Sequence, residues 1–172
     1  MNILVTGGAG YLGSILVPKL LCRGHKVRVV DVGYFGIAHL RNLRPSVEII
    51  REDVRVFSKD SGQCSSVLDG IDCVIHLAAI SNDPSAELNP DLTDQVNFQA
   101  TMALAEKAKK RNIKFLFSSS CSVYGESPGQ VDENGAVNPL TAYAHSKVNS
   151  DQFLATIATN SWRPVSLRNG TL

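Results

Sequence analysis

The sequence has no apolar run approaching the ~18–20 residues of a membrane-spanning helix, so membrane insertion is not expected. It has little excess charge. Lys and Arg number 17 against 16 Asp and Glu, and the formal net charge of +1 gives no global field towards nucleic acid or a membrane surface. Its four cysteines, Cys22, Cys64, Cys73 and Cys121, form no CxxC pair and have no histidines at zinc-site spacing. No metal is expected, and the cysteines read as reduced, mostly buried thiols. Internal repeats and low-complexity tracts are lacking. So is a basic segment followed by an apolar signal core, and a cytoplasmic location is the expectation.

What is there is ordinary for a globular chain: 172 residues, 44% hydrophobic and 19% charged, enough for one domain with a real core. The densest basic cluster, Lys107, Lys109, Lys110 and Arg111, reads as the solvated last turn of a helix.

Residues Ile3–Ser14, ILVTGGAGYLGS, organise the rest. Ile3, Leu4 and Val5 read as a buried strand. Glycines follow at once, and then an apolar pattern of helical period. Strand, glycine turn, helix is the context in which a glycine triplet signals dinucleotide binding. Gly7 permits the tight turn, Gly10 lets backbone approach a pyrophosphate, and Gly13 lets helix and strand pack closely. The helix N-terminus would hold the phosphates. Taken alone, the triplet also suits a strand-to-helix turn with no ligand.

The helix predicted from Tyr11 to Arg23 contains Pro18 and ends at Gly24. Lys26–Asp31, KVRVVD, reads as a second strand ending in an acid, 18 residues after Gly13. An acid there accepts hydrogen bonds from the adenosine ribose and repels a 2′-phosphate. No Arg or Lys follows Asp31 and Val32 directly, which favours NAD over NADP. The same acid also suits a cap for the next loop, Gly33–Gly36.

Further strands are predicted at Val47–Ile50, Ile71–Leu77, Ile113–Phe117 and from Pro164. Helices are predicted around Ser65–Leu68, over Asp91–Arg111 and from Ala142 to about Thr159. Asn82–Pro90 and Glu126–Asn138 read as loops. Strands alternating with helices give an α/β fold, a doubly wound parallel sheet of Rossmann type with helices on both faces. The Asp91–Arg111 helix carries one apolar stripe through Leu92, Val96, Ala100 and Ala103 and another through Phe98, Met102 and Ala105. Val148, Phe153, Leu154 and Ile157 give the next helix broad apolar faces. A homodimer through these helices is the expectation.

Tyr143 and Lys147 lie four apart on a predicted helix and project from one face. A cation beside a phenol stabilises the phenolate and lowers its pKa, which would make Tyr143 a usable general base. Tyr-x-x-x-Lys alone is a weak signal. With the strand ending in Ser118-Ser119-Ser120 and the glycine turn, it becomes part of a pattern.

That pattern resembles the extended short-chain dehydrogenase/reductase family, especially the NAD-dependent nucleotide-sugar epimerases. The matching stretches are TGGAGYLGS, Asp31, Asp53-Val54, HLAAI, Asn97, FSSSCSVYG and YAHSK, in order from residue 3 to 147. The resemblance implies that Gly7, Gly10 and Gly13, with Tyr11 and Leu12 between them, hold the pyrophosphate, and Asp31 the ribose. Asp53 and Val54 would meet the adenine, and Leu77, Ala78 and Ala79 would pass behind the coenzyme, with Ser118 also on its site. Ser120 would be the catalytic hydroxyl, Tyr143 the acid/base, and Lys147 the ligand of the nicotinamide ribose. Asn97 would join the coenzyme-binding set, or is a buried helix Asn bonded to backbone.

Sugar dehydratases of the family carry Asp-Glu directly after the catalytic Thr, where this chain has Cys121-Ser122, so dehydration is not expected. Epimerases with a catalytic Cys place it where this chain has Ser122, and Cys121 reads as buried rather than catalytic. What remains is transient oxidation at one carbinol, as in 4-epimerases. A non-catalytic NAD-binding module, or a net dehydrogenase or reductase of the same fold, is the alternative. The resemblance further implies that residues 1–172 are the coenzyme-binding domain. Residues 166–172 would begin a substrate-binding lobe that is otherwise missing, leaving apolar surface uncovered near Trp162 and Leu172.

Overall fold

A computed structural model describes residues 1–43, 46–59, 66–126 and 129–170. Among them six parallel strands form one sheet: β1 Asn2–Thr6, β2 Lys26–Asp31, β3 Val47–Arg51, β4 Cys73–His76, β5 Lys114–Ser120 and β6 Val165–Asn169. Their order is β3-β2-β1-β4-β5-β6. The chain reverses its direction of winding between β1 and β4, and a crevice opens there beyond the carboxyl ends of the strands. Val and Ile dominate the inner strands because a parallel sheet is covered on both faces. Leu4, Val30, Val74, Phe115 and Phe117 pack with Leu104, Ala105, Ala108 and Leu154 on one face. Ile3, Val5, Val27 and Val29 pack with Val17 and Leu40 on the other.

The helices are α1 Tyr11–Cys22, α2 Ala38–Arg41, α3 Asp83–Glu87, α4 Pro90–Thr93, α5 Ala100–Lys110 and α6 Ala142–Ile157. Pro18 lies inside α1, and Arg23 and Gly24 close it with backbone bonds to Lys19, Leu20 and Leu21. Of the helix predicted at Ser65–Leu68, Ser66 and Val67 are helical, and Ser65 lies outside the described residues. A segment predicted as loop is instead two helix starts. Asn82 and Asn89 act as N-caps, accepting the amides of Ser85 and Leu92, and Pro84 and Pro90 follow them in the first turn. Proline there sacrifices no helical hydrogen bond, so it marks a beginning rather than a break.

The predicted helix over Asp91–Arg111 begins one residue earlier and contains a π-helical segment, Asp94–Gln99, between α4 and α5. Its buried face runs through Thr93, Asn97, Ala100, Thr101, Leu104, Ala105 and Ala108. Val96, Ala103, Phe153 and Ile157 pack against the core of the same chain. Of the second stripe, Ala105 joins that core, and Phe98 and Met102 are left half-buried. Trp162 is buried as well, its indole donating to Ile113 O at 2.7 Å; Leu172 lies outside the described residues. The cysteine expectation needs correction. Cys73 is buried, but Cys22 and Cys121 are exposed; Cys64 lies outside the described residues. Cys121 opens the 3₁₀ turn Cys121–Tyr124 at the sheet edge of the crevice, where its side chain meets open space rather than core.

Candidate functional site

The β1–α1 turn is fixed by close packing. Gly7 has φ +71°, and a Cβ there would stand 2.6 Å from Ala78 N; one on Gly13 would stand 2.5 Å from Gly8 Cα. Only glycine fits either place. Gly10 is the N-cap of α1, with no side-chain cap and no acid in the first turn, so the first amides of the helix stay available to an anion. Asp31 accepts the amide of Ala9 through Oδ2 at 2.9 Å and that of Gly33 through Oδ1 at 2.7 Å. The acid therefore both caps its own loop and holds the glycine turn, while one edge faces the crevice.

The crevice is a cavity of about 1030 Å³, at the upper end for small-molecule sites. Gly7, Gly10, Tyr11, Leu12, Gly13, Asp31, Asp53, Val54, Leu77, Ala78, Ala79, Ser118, Ser120, Tyr143 and Lys147 all line it. Asn97 does not. It is buried beneath the wall, where its amide brackets Ile80, accepting from Ile80 N at 2.8 Å and donating to Ile80 O at 3.0 Å. It also donates to Ser146 Oγ at 3.1 Å. This bracket is built on the π segment, whose extra residue per turn is a recurrent way of re-aiming a functional side chain. Asn97 thus positions the wall and α6 rather than touching the cavity. Asp53 is engaged by Arg55, whose guanidinium and backbone amide both donate to it, and this holds the carboxyl below its usual range.

Lys147 is 3% exposed. Its Nζ donates to Ser118 O at 2.7 Å and lies 4.7 Å from the Phe117 ring centroid and 5.5 Å from that of Tyr143. Burial pulls its pKa down to about 8. The Tyr143 phenol is raised, not lowered: burial dominates, and hydrogen bonding with Ser120 pulls the other way. The expected drop is absent because the ammonium faces the ring and the Ser118 carbonyl rather than the hydroxyl.

Several residues of the site were not foreseen. Asp83, from α3, lines the cavity and accepts the hydroxyl of Thr141 at 2.5 Å, while Glu87 accepts Ala142 N at 2.6 Å. Together they clasp the N-terminus of the helix that carries Tyr143. The signal was Asn82-Asp83-Pro84, an N-cap followed by proline. Cys121 lines the cavity beside Ser120, and Asn169 lines it while donating to Ser118 Oγ at 2.9 Å. Beneath the site, His76 bonds Thr6 Oγ1 through Nδ1 at 2.6 Å and Thr101 Oγ1 through Nε2 at 2.8 Å. Thr101 gives its own proton to Asn97 O at 2.6 Å. It must therefore accept from Nε2–H, and Thr6 must donate to Nδ1. That assignment follows from the network. Burial, with Lys147 nearby, pulls His76 down to about 3.

A doubly wound sheet with its cavity at the strand-order reversal, an uncapped glycine turn and an acid at the end of β2 defines a dinucleotide-binding α/β protein. The chain belongs to the NAD-dependent epimerase/dehydratase family, which it matches over residues 3–172. It is 31% identical over 159 residues to a UDP-glucose 4-epimerase of Lactobacillus helveticus, covering 90% of this chain and 46% of that protein. Among solved structures, it resembles the UDP-N-acetylglucosamine 4-epimerase of Methanobrevibacter ruminantium M1 in complex with UDP-N-acetylmuramic acid. That likeness has a TM-score of 0.86 and 32% identity, over 97% of this chain and 54% of the other. The UDP-glucuronic acid 4-epimerase of Bacillus cereus, in complex with UDP-glucuronic acid and NAD, gives a TM-score of 0.86 and 30% identity, over 98% and 56%. The chain spans about half the length of the curated relatives it matches. NAD is the coenzyme of this family, and the residues present fit it: backbone amides for a pyrophosphate, a carboxylate for ribose hydroxyls and small residues along the wall.

Proposed function

We propose that this chain is the coenzyme-binding part of an NAD-dependent nucleotide-sugar epimerase of the 4-epimerase type. The observation that carries the reading is the meeting of Ser120, Tyr143 and Lys147 in the same cavity as the glycine turn and Asp31. Gly7, Gly10 and Gly13, with Tyr11 and Leu12, hold the pyrophosphate in this reading. Asp31 holds the adenosine ribose, Asp53 and Val54 meet the adenine, and Leu77, Ala78, Ala79 and Ser118 back the coenzyme. NAD held there would supply a reversible hydride acceptor, so that no net oxidation results. The Tyr143 oxygen takes the proton of the sugar hydroxyl as hydride leaves the adjoining carbon, and gives it back in the second half. Ser120 orients that hydroxyl and, through its hydrogen bond with Tyr143, opposes the rise in the phenol's pKa, and Lys147 binds the nicotinamide ribose.

The cavity also bears on the sugar. Arg55 and Lys147 are the cations among its described lining residues. Arg55 is engaged by Asp53, and Lys147 by Ser118 O. Asp83 puts a carboxylate into the same wall, where its charge acts on Tyr143. A neutral hexose suits this wall better than a hexuronate, which would meet Asp83 without a cation to offset it. Calorimetry with NAD and turnover on a panel of UDP-glucose, UDP-galactose and UDP-glucuronic acid test the reading. NAD binding by this chain, with interconversion of the neutral pair by a form that also carries a substrate-binding lobe, is the expected result. NAD binding without turnover in that longer form favours a non-catalytic NAD module, and stoichiometric formation of NADH favours a net dehydrogenase. Preference for the uronate overturns the argument from Asp83.

A further inference from the structure

Asp151 lies one helical turn beyond Lys147 on α6, with 10% of its side chain exposed. Oδ2 accepts Ser119 Oγ at 2.9 Å and Arg168 Nε at 3.1 Å. Oδ1 is buried with no hydrogen-bond partner. A buried carboxylate with an empty oxygen costs free energy, so its retention invites a role beyond packing. Arg168 is held from the far side as well, donating through Nη1 to Tyr124 OH at 2.8 Å and to Glu133 O at 3.2 Å. The network ties β5, α6 and β6 together directly beneath Ser118 and Ser120.

Lys147 has the complementary difficulty. Its buried ammonium has one hydrogen-bond partner, Ser118 O, and among the described residues no carboxylate pairs with it directly. The titratable and charged groups that bear on it are Tyr143 and Asp151 on its own helix and His76 on β4, and Arg168 of β6 joins them only through its ion pair with Asp151. His76 is held neutral by burial and the phenol of Tyr143 is held protonated by burial. Asp151 is the one negative charge in that set.

We propose that Asp151 is a positioning residue for the coenzyme site, keeping Lys147 in its ammonium form through a charge placed one turn along the helix. Ser119 and Arg168 hold that carboxylate in place. The inference rests on the coenzyme-binding role given to Lys147 above.

The test uses the chain as it stands, with isotope-labelled lysine. The side-chain NMR signal of Lys147 is assigned by its loss in Lys147→Arg and followed against pH. Asp151→Asn should lower the midpoint by about one pH unit, a tenfold loss of proton affinity. Asp151→Glu should restore it. Ser119→Ala, which loses a hydrogen bond but no charge, should leave it in place, whereas a merely structural role would shift the Asn and Ala variants alike. Arg168→Gln strips Asp151 of its partner cation while Ser119 still holds the carboxylate, and should raise the midpoint. It decides the matter if Asp151→Asn fails to fold by circular dichroism. An unmoved midpoint in Asp151→Asn, or a fall in Arg168→Gln, overturns the proposal. No substrate enters the measurement. A chain that shows the predicted shifts but does not bind NAD rejects only the coenzyme-site reading, and a chain that binds NAD with an unmoved midpoint rejects only the role of Asp151.

Discussion

Asp31 and Ala9, 22 residues apart, are joined by a 2.9 Å hydrogen bond from the Ala9 amide to Oδ2. The acid at the end of β2 therefore pre-forms the glycine turn as well as presenting an oxygen to the cavity. Arg51 is the register partner of Asp31 across β2 and β3, so a cation does lie near this acid in space. Its Nε is committed to Val32 O at 3.1 Å, and Arg51 is not among the lining residues of the cavity. The balance at the ribose end is negative. The unmutated chain should bind NAD more tightly than NADP, and Asp31→Ala should weaken NAD binding by ~1–3 kcal/mol through loss of charge-assisted hydrogen bonds. Titration calorimetry measures both. Tighter binding of NADP to the unmutated chain would count against Asp31 as the ribose ligand.

Tyr143→Phe removes one hydroxyl from a residue whose ring is already packed beside Lys147. Fold and NAD affinity should be almost unchanged. Turnover, in any form of the protein that shows it, should fall at least ~10²-fold, as for loss of a positioned acid/base. Near-normal activity would pass the proton transfer to Ser120.

The fold was legible because its signals are local. Alternating apolar strands and helical periods, with glycine at the first turn, dictate a parallel sheet whatever else happens. The residues of the cavity were legible as motifs, since each motif sits at the carboxyl end of a strand or on the first turn of a helix. What escaped was cross-chain chemistry. His76 reads as one more residue of an apolar strand, and nothing local says that Thr6 and Thr101 will reach its two nitrogens. Asn97 reads as a ligand or a core amide with equal ease, and the π segment that turns it to Ile80 has no sequence period of its own. Asp83 lies between an N-cap and a proline, Asn82 and Pro84, a pattern that suits a loop as well as a helix start. Asp151 carried a readable signal, an acid four residues after a lysine on one helix face, but its contacts with Ser119 and Arg168, which turn it inward, have no local signature.

His76 makes a prediction about pH. Its pKa falls from 6.5 to about 3 on folding, chiefly through burial. Between those values the unfolded chain takes up a proton that the native chain refuses, so this group's contribution to stability is lost as pH falls from 6.5 towards 3. By pH ~5 the loss should be roughly 2 kcal/mol. His76→Gln keeps a donor and an acceptor for the two threonines but does not titrate. It should be less stable at neutral pH and should show a shallower loss between pH ~7 and ~5. Urea unfolding of the two chains at both pH values measures the difference. Parallel pH dependence in the two would show that His76 does not stay neutral in the native state, or that the unfolded chain holds it in a similar environment.

Phe98 and Met102 lie one turn apart on the long helix, half-buried, and neither joins the two large apolar cores. Val96, Ala103, Phe153 and Ile157, by contrast, pack on the core of their own chain. The apolar surface left for a partner is thus narrower than the sequence pattern suggests, and it centres on the π segment and the first turn of α5. A two-fold contact needs only a second copy of the same surface, because such an interface is self-complementary. A homodimer at micromolar concentration is therefore expected, and Met102→Glu should dissociate it by placing like charges face to face in an apolar seam. The substitution changes a side chain outside both cores, so circular dichroism should show the fold retained. Light scattering on both chains gives the answer. A monomer mass for the unmutated chain across that range, or a dimer that survives Met102→Glu, would remove this helix from the interface and leave Phe98 and Met102 as ordinary half-exposed surface.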